Sequence, residues 1–399
     1  VLAVRARRRA MAIWSALVLS LLAPCAMGLR LTPTPVRTSA VSASQAVVDR
    51  RSVLLGAGAA LLAPPVLGAS AEEPAVYTPP PGSLAGTTIL ITGANTGLGL
   101  ESAKRLATAG AALVVTARSQ AKADGAVKDV LATVPGTSVT GLELDLASLA
   151  SIKSFPDRLA KAVGGEAPID VLLNNAGVMA IPERVETSDG FEKTVGVNHL
   201  GHYALVAALL PLLKKAKDGF RIINVSSDAH RFASAGAISD ALDKKLDPEY
   251  SAWGNYGVSK AANVLFTVEL QRRIEAAGLA GSAVTLHPGV VQTDLARYIV
   301  GGVAAEDTRL SETAPPPTGI GKFLKEKVLD NVVIPVANGA NTQVFLAAAA
   351  DTGGDRKKAG GLFFDKMKAV KANAPSTDAA LAKRLWQLSE ELTGAKIPL

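Results

Sequence analysis

The stretch that decides the fold is Ile89-Leu90-Ile91-Thr92-Gly93-Ala94-Asn95-Thr96-Gly97-Leu98-Gly99. Its first three residues form a short apolar run ending on a glycine-rich turn, which predicts a buried strand. Residues 98–109 follow with helical periodicity and close on Gly110. A strand, a tight turn and a helix in that order direct the helix's free N–H groups and positive dipole end at the turn. Glycine in such a turn lets the backbone approach a pyrophosphate. The spacing is G-x-x-x-G-x-G rather than the commoner G-x-G-x-x-G, and alone it fits a purely structural turn equally well.

Working outward, the same alternation repeats. Residues 112–116, 139–144 and 169–173 read as buried strands, with helices over 120–133 and 148–163 between them. Long helical patterns over 190–217 and 257–277 flank a strand at 222–225, and another strand covers 283–287. Residues 304–325, with Pro315-Pro316-Pro317, read as an irregular loop. Helices over 338–349 and 378–392 close the chain. Strands alternating with helices predict right-handed βαβ units and one doubly wound α/β domain over 88–399, a parallel sheet between helical layers.

The first 71 residues have a different composition. They hold eight arginines, no lysine and one acid, Asp49, so they carry the whole net charge of +7. The remainder is formally neutral, which argues against nucleic acid as a partner. Arg5, Arg7, Arg8 and Arg9 precede an apolar run at 12–23 and small residues at 26–28, the pattern of a secretory signal. An acid-poor Ser/Thr/Pro/Arg stretch at 29–48 resembles a transit peptide. Arg50-Arg51, a weakly apolar run and Ala69-Ser70-Ala71 resemble a twin-arginine signal. In series these predict a cleaved presequence over 1–71, addressed to a plastid and onward to the thylakoid lumen, then a linker over 72–87. A membrane anchor is the competing reading, but both apolar runs fall short of roughly 20 residues. Cys25, the only cysteine, lies in this segment. The rest therefore has no disulfide, thiolate nucleophile or cysteine-ligated metal.

Two further features carry chemistry. The second strand ends at Arg118, where a dinucleotide fold places an acid to bind the 2′-hydroxyl of NAD; an arginine instead suits the 2′-phosphate of NADP(H). Tyr256 and Lys260 lie four apart on a predicted helix and share a face. A nearby ammonium, helped by an oxidised nicotinamide, favours the phenolate and lowers the phenol pKa from about 10. The phenol can then exchange a proton with a carbonyl or alcohol oxygen as hydride moves.

With these in place the chain resembles the short-chain dehydrogenase/reductase family from Thr88 to about Gly394. The resemblance rests on Thr92-Gly93-x-x-x-Gly97-x-Gly99, Asp145-Leu146, Asn174-Asn175-Ala176-Gly177, Asn198, Ser227, Tyr256-x-x-x-Lys260, and Pro288-Gly289 with Thr293. Within the family it is similar to the retinol-dehydrogenase-like branch, through Asn198-His199-Leu200-Gly201-His202 and His287-Pro288-Gly289. The resemblance implies an NADP(H)-dependent oxidoreductase with Asn198, Ser227, Tyr256 and Lys260 as its catalytic set. Ser227 would polarise the reacting oxygen, Asn198 would hold a water on Lys260, and Lys260 would bind the nicotinamide ribose. Gly93, Asn95, Thr96, Gly97, Leu98 and Gly99 would line the dinucleotide, with Arg118, Asp145 and Leu146 at its adenosine end beside Asn175, Ala176 and Gly177. Pro288, Gly289, Val291 and Thr293 would close over the nicotinamide.

Other features take bland readings. His199 and His202 lack a carboxylate or third histidine and read as packing, not metal ligands. The sequon at Asn224 falls in a buried strand, and Asn174 reads as a sheet-tying amide. The apolar face over 195–213 is core or a dimer contact, and peripheral membrane association is left open. The substrate is a small carbonyl or alcohol, apolar in the manner of a retinoid, an isoprenoid or an aldehyde. Its pocket is expected along 178–182, just before Tyr256, and in 294–325. Light-dependent protochlorophyllide reductase is the first alternative, disfavoured by Ala261-Ala262 after Lys260 and the missing cysteine. An NADP(H)-binding sensor or scaffold is the second.

Overall fold

The computed structural model describes residues 75–291, 334–348 and 359–399. Within them the chain runs β1 (Thr88–Ile91), α1 (Gly97–Thr108), β2 (Ala112–Ala117), α2 (Gln120–Thr133), β3 (Val139–Glu143), α3 (Leu149–Lys153), α4 (Phe155–Val163) and β4 (Val171–Asn174). Then come α5 (Lys193–Leu213), β5 (Phe220–Val225), α6 (Ala235–Asp243), α7 (Ala252–Ala276), β6 (Gly281–Leu286), α8 (Val336–Gly339), α9 (Asn341–Ala348), β7 (Phe363–Asp365), β8 (Lys368–Val370) and α10 (Ala379–Thr393). The sheet order is β3-β2-β1-β4-β5-β6-β7-β8, parallel except for β8. This is the single doubly wound α/β domain that the alternation predicts.

Strand residues alternate between two cores, as a pleated sheet covered on both faces requires. Leu90, Val114, Leu172 and Ile222 face α5, α7 and α10, while Ile89, Ile91, Val115 and Leu173 face α1 and α9. Between α5, α7 and α10 lies an aromatic cluster. Trp386 meets Tyr203 edge-on at 5.4 Å and Phe266 at 5.9 Å, with the Arg273 guanidinium 4.2 Å from its ring centre. The apolar face over 195–213 is thus core, covered by the chain's own C-terminal helix. By length and composition α5 could cross a membrane, but it is buried in this core.

Several boundaries differ from expectation, each for a local reason. The helix expected over 148–163 breaks at Ser154, because Pro156 starts a new helix more readily than it continues one. The helix expected from Gly257 starts at Ala252, where the Ser251 hydroxyl accepts the Gly254 N–H at 3.2 Å. The β7–β8 hairpin was not expected, and its strands are only three residues long. The segment expected as a linker is docked from residue 75 onward. Asn341 bonds the backbone of Ala75 and Tyr77, Arg105 donates to Tyr77 O, and the Tyr77 ring meets Phe345. Thr293 and residues 294–325 lie outside the described residues.

Candidate functional site

The functional groups gather at the carboxyl ends of the strands. After β1, Gly93 has φ +63°, a left-handed conformation that costs any residue with a β-carbon. A β-carbon on Gly99 would lie 2.5 Å from Gly93 O and 2.6 Å from Asn175 Nδ2, so the turn closes only on glycine. No acid stands in the first turn of α1. Asn175 Nδ2 donates to Thr92 O at 2.8 Å and Gly93 O at 3.3 Å, joining the loop after β4 to this turn. Asn95, Thr96 and Leu98 complete the turn and the helix start. Arg118 is exposed at the end of β2, Asp145 is half-buried after β3, and Leu146 is buried. These residues form a row along strand order β3-β2-β1, and the acid-free glycine cradle fits the pyrophosphate of a dinucleotide.

The second group lies beyond β4 and β5. The Ser251 cap places Tyr256 in the second turn of α7 and Lys260 one turn on. Both are 3 % exposed. Lys260 Nζ donates to Val225 O at 3.0 Å and lies 5.7 Å from the Tyr256 ring centre. The Ser227 hydroxyl, just after β5, hydrogen-bonds the phenol and accepts the Ala229 N–H at 3.2 Å. Trp253 packs edge-on to Tyr256 at 6.2 Å. Asn198 sits in a π-helical turn, Gly196–Gly201, within α5. Such turns often mark functional sites. Its Oδ1 accepts the Val178 N–H at 2.8 Å, while its Nδ2 donates to Val178 O and Ser259 Oγ. A β-carbon on Gly177 would lie 3.2 Å from Asn198 Oδ1 and 3.5 Å from Lys260 Nζ, so the two side chains meet across that glycine.

Burial dominates the electrostatics of the pair. Burial pushes the Tyr256 phenol up to about 12, eased only in part by the Ser227 hydrogen bond. Burial also brings the Lys260 ammonium down to about 8. Both charged forms lose water in one closed space, which disfavours the phenolate and the ammonium alike. At neutral pH the phenol is protonated and can give a proton.

Beyond β6, His287 Nδ1 accepts the Gly289 N–H at 3.1 Å and Nε2 lies 3.3 Å from Asp365 Oδ1 on β7. This fixes the Pro288-Gly289 turn. Val291 bridges to Ile334, and a β-carbon on Gly339 would touch both Val291 and Leu98.

Two groups at the site were missed from sequence. His230 Nδ1 donates to Ser227 O at 2.7 Å while its Nε2 accepts the Asn373 N–H at 3.0 Å, so the C-terminal segment braces the serine turn. Gln343 Nε2 donates to Leu98 O at 3.1 Å and Ser102 Oγ at 2.7 Å, across some 240 residues of chain that no local pattern links. The bland readings hold for Asn174, which donates to Asn224 Oδ1 at 2.8 Å, and for Asn224, buried in β5. Among the described residues no cluster of three or more His, Cys, Asp or Glu side chains could hold a metal.

A profile described as short chain dehydrogenase matches residues 87–239. The chain is 37% identical over 322 residues to retinol dehydrogenase 13 of Homo sapiens, spanning 80% of this chain and 88% of that one. It is 34% identical over 326 residues to polyprenol dehydrogenase of Mus musculus, spanning 81% and 87%. Among solved structures, an uncharacterised protein from Mycobacterium paratuberculosis is similar with a TM-score of 0.57 and 32% identity, over 81% of this chain and 99% of that one. The chain therefore belongs to the short-chain dehydrogenase/reductase family and, within it, is retinol-dehydrogenase-like.

Proposed function

We propose that this protein is an NADP(H)-dependent oxidoreductase acting on the carbonyl or alcohol of an apolar substrate, retinoid-like, isoprenoid-like or an aldehyde. The observation that carries the reading is the convergence of Ser227, Tyr256 and Lys260 beside Gly177, next to the cradle after β1. The similarity to a retinol and a polyprenol dehydrogenase supports the apolar substrate. Arg118 at the end of β2 supports the 2′-phosphate form of the cofactor.

When bound, the cofactor supplies or accepts the hydride. In reduction Tyr256 OH donates its proton to the carbonyl oxygen, and the Ser227 hydroxyl hydrogen-bonds the same oxygen. Lys260 holds the ribose and favours the phenolate that remains. Asn198 fixes the Val178 backbone and would hold the water through which a proton returns to Lys260. Gly93, Asn95, Thr96, Gly97, Leu98 and Gly99, with Asn175, Ala176 and Gly177, would hold the dinucleotide. Asp145 and Leu146 would border its adenine, and Pro288, Gly289 and Val291, with Thr293 from outside the described residues, would cover the nicotinamide. The proposal extends to location: residues 1–71 carry the protein into a plastid, which a fluorescent fusion to the full chain would read out.

The test is NADPH oxidation by purified protein, in the dark, across aldehydes, ketones and retinoid or isoprenoid carbonyls. Turnover that falls by about 100- to 10,000-fold in Tyr256→Phe, with NADPH affinity kept, is the expected result. Arg118→Ala should erode the preference for NADPH over NADH by about tenfold or more. NADPH binding without turnover of any member would overturn the reading.

A further inference from the structure

The two histidines of α5 were expected only to pack, and His199 does so. Its Nε2 lies 2.8 Å from Ser389 Oγ on α10, and that hydroxyl donates onward to Leu385 O. His202, almost one turn later, is placed differently. Its Nδ1 lies 3.1 Å from Asn198 O and its Nε2 lies 3.0 Å from Thr92 Oγ1.

The direction of each hydrogen bond follows from what the atoms can do. A carbonyl oxygen only accepts, so Nδ1 carries the ring proton. In a neutral ring Nε2 is then an acceptor, and the Thr92 hydroxyl must donate to it. The same Thr92 oxygen accepts the backbone N–H groups of Asn175 and Ala176, each at 2.9 Å. Thr92 opens the glycine turn, Asn175 and Ala176 open the loop after β4, and Asn198 lies in the π turn. From Asn198 the network continues through Nδ2 to Ser259 Oγ at 3.0 Å, which donates to Tyr256 O at 2.8 Å. Thr92, Asn198 and Ser259 are fully buried and His202 nearly so, leaving no water to replace a lost partner. Burial, opposed only by the Asn198 bond and reinforced by the Lys260 charge, brings the ring down to about 4. A second ring proton would turn both nitrogens into donors and force the Thr92 hydroxyl toward Leu173 O, 3.5 Å away.

We propose that His202 is a positioning residue, held as the Nδ1–H tautomer, that links the dinucleotide turn at Thr92 to the π turn of Asn198. It rests on the site reading above. One end of the ring sets the cofactor turn, and the other sets the carbonyl of Asn198.

Two amide substitutions separate the ends. His202→Asn keeps a donor near the Nδ1 position and loses Thr92. His202→Gln reaches the Nε2 position, can accept from Thr92, and loses Asn198. Expected for His202→Asn is a NADPH Kd weakened about tenfold with kcat within about twofold of wild type, one lost buried hydrogen bond at one end. Expected for His202→Gln is the reverse: Kd kept, kcat down about tenfold, and an altered pH profile of kcat. Kd is read from quenching of tryptophan emission by NADPH, which needs no turnover. If both variants match wild type in Kd and kcat per folded molecule, or lose both parameters equally, the proposal is overturned. If the wild type binds NADPH but turns nothing over, the functional reading fails. The Kd arm still decides this one: weakening confined to His202→Asn supports it, and none overturns it.

Discussion

On the β1–β4 side of the sheet the functional turns are held by backbone conformation, by close backbone approach and by side chains that bond the main chain. Gly93 takes a left-handed conformation, Gly99 lies against its carbonyl, and Asn175 bonds the main chain of Thr92 and Gly93. On the β5–β7 side the groups are held by buried side chains and by the far end of the chain. His230 spans Ser227 and Asn373 while its ring meets Phe363 at 4.8 Å, and Trp386 locks α10 onto α5 and α7. The difference teaches how each half fails. A backbone-held turn breaks locally, when one atom is added. A side-chain-held site fails with its cover, through stability and protonation.

The largest effect should come from the cover. Trp386→Ala removes a buried ring from the α5–α7–α10 cluster and should cost about 3–5 kcal/mol, read from denaturant midpoints. NADPH affinity of the remaining folded protein should be little changed. Affinity falling in step with stability would break the contrast between the halves.

Gly99→Ala is the reverse case. Its β-carbon would meet Gly93 O, Asn175 Nδ2 and the Ala94 backbone within 3 Å; two of these are backbone, and the Asn175 amide is itself tied to Thr92 O and Gly93 O. Displacing the turn by about 1 Å should weaken NADPH by roughly 100-fold. An unchanged Kd in a fluorescence titration would show that the turn is not backbone-limited.

The smallest effect sharpens the comparison within α5. His199 and His202 are both neutral and buried, with pKa values brought down by burial to about 3 and about 4 from 6.5. Because the folded values lie below the unfolded one, their contribution is full above pH 6.5 and is lost as pH falls toward 4 and 3. Each should cost about 1.4 kcal/mol per pH unit across that window, or about 2 kcal/mol by pH 5. Urea midpoints at pH 7 and pH 5 should therefore differ less in His199→Asn and in His202→Asn than in wild type. Identical differences in all three would mean that neither ring is held neutral by burial.

Much of the first half was legible because its signals are local. The strand expected at 89–91 and the helix expected at 98–109 appear as Thr88–Ile91 and Gly97–Thr108, set by periodicity and a glycine turn. The break at Pro156 and the cap at Ser251 are also written locally, in a helix-starting proline and a capping serine. Other features had no local signature. The β7–β8 strands span three residues each, around Lys366 and Met367 with positive φ and no glycine. The π turn at Gly196–Gly201 lies inside a continuous helical pattern that reads the same on either side of it.

By itself the sequence determined the alternation of strands and helices, the glycine turn after β1 and the residues able to move a proton. Steric limits on φ, side-chain period and pKa class act within a few residues, so they can be read along the chain. Tertiary structure decided what those groups do with one another. It set the Tyr256 phenol high and the Lys260 ammonium low, placed Ser227 under His230, and joined Thr92 to His202 across 110 residues. Desolvation and the choice of hydrogen-bond partner depend on what the folded chain brings alongside each group, and no spacing in the sequence encodes that.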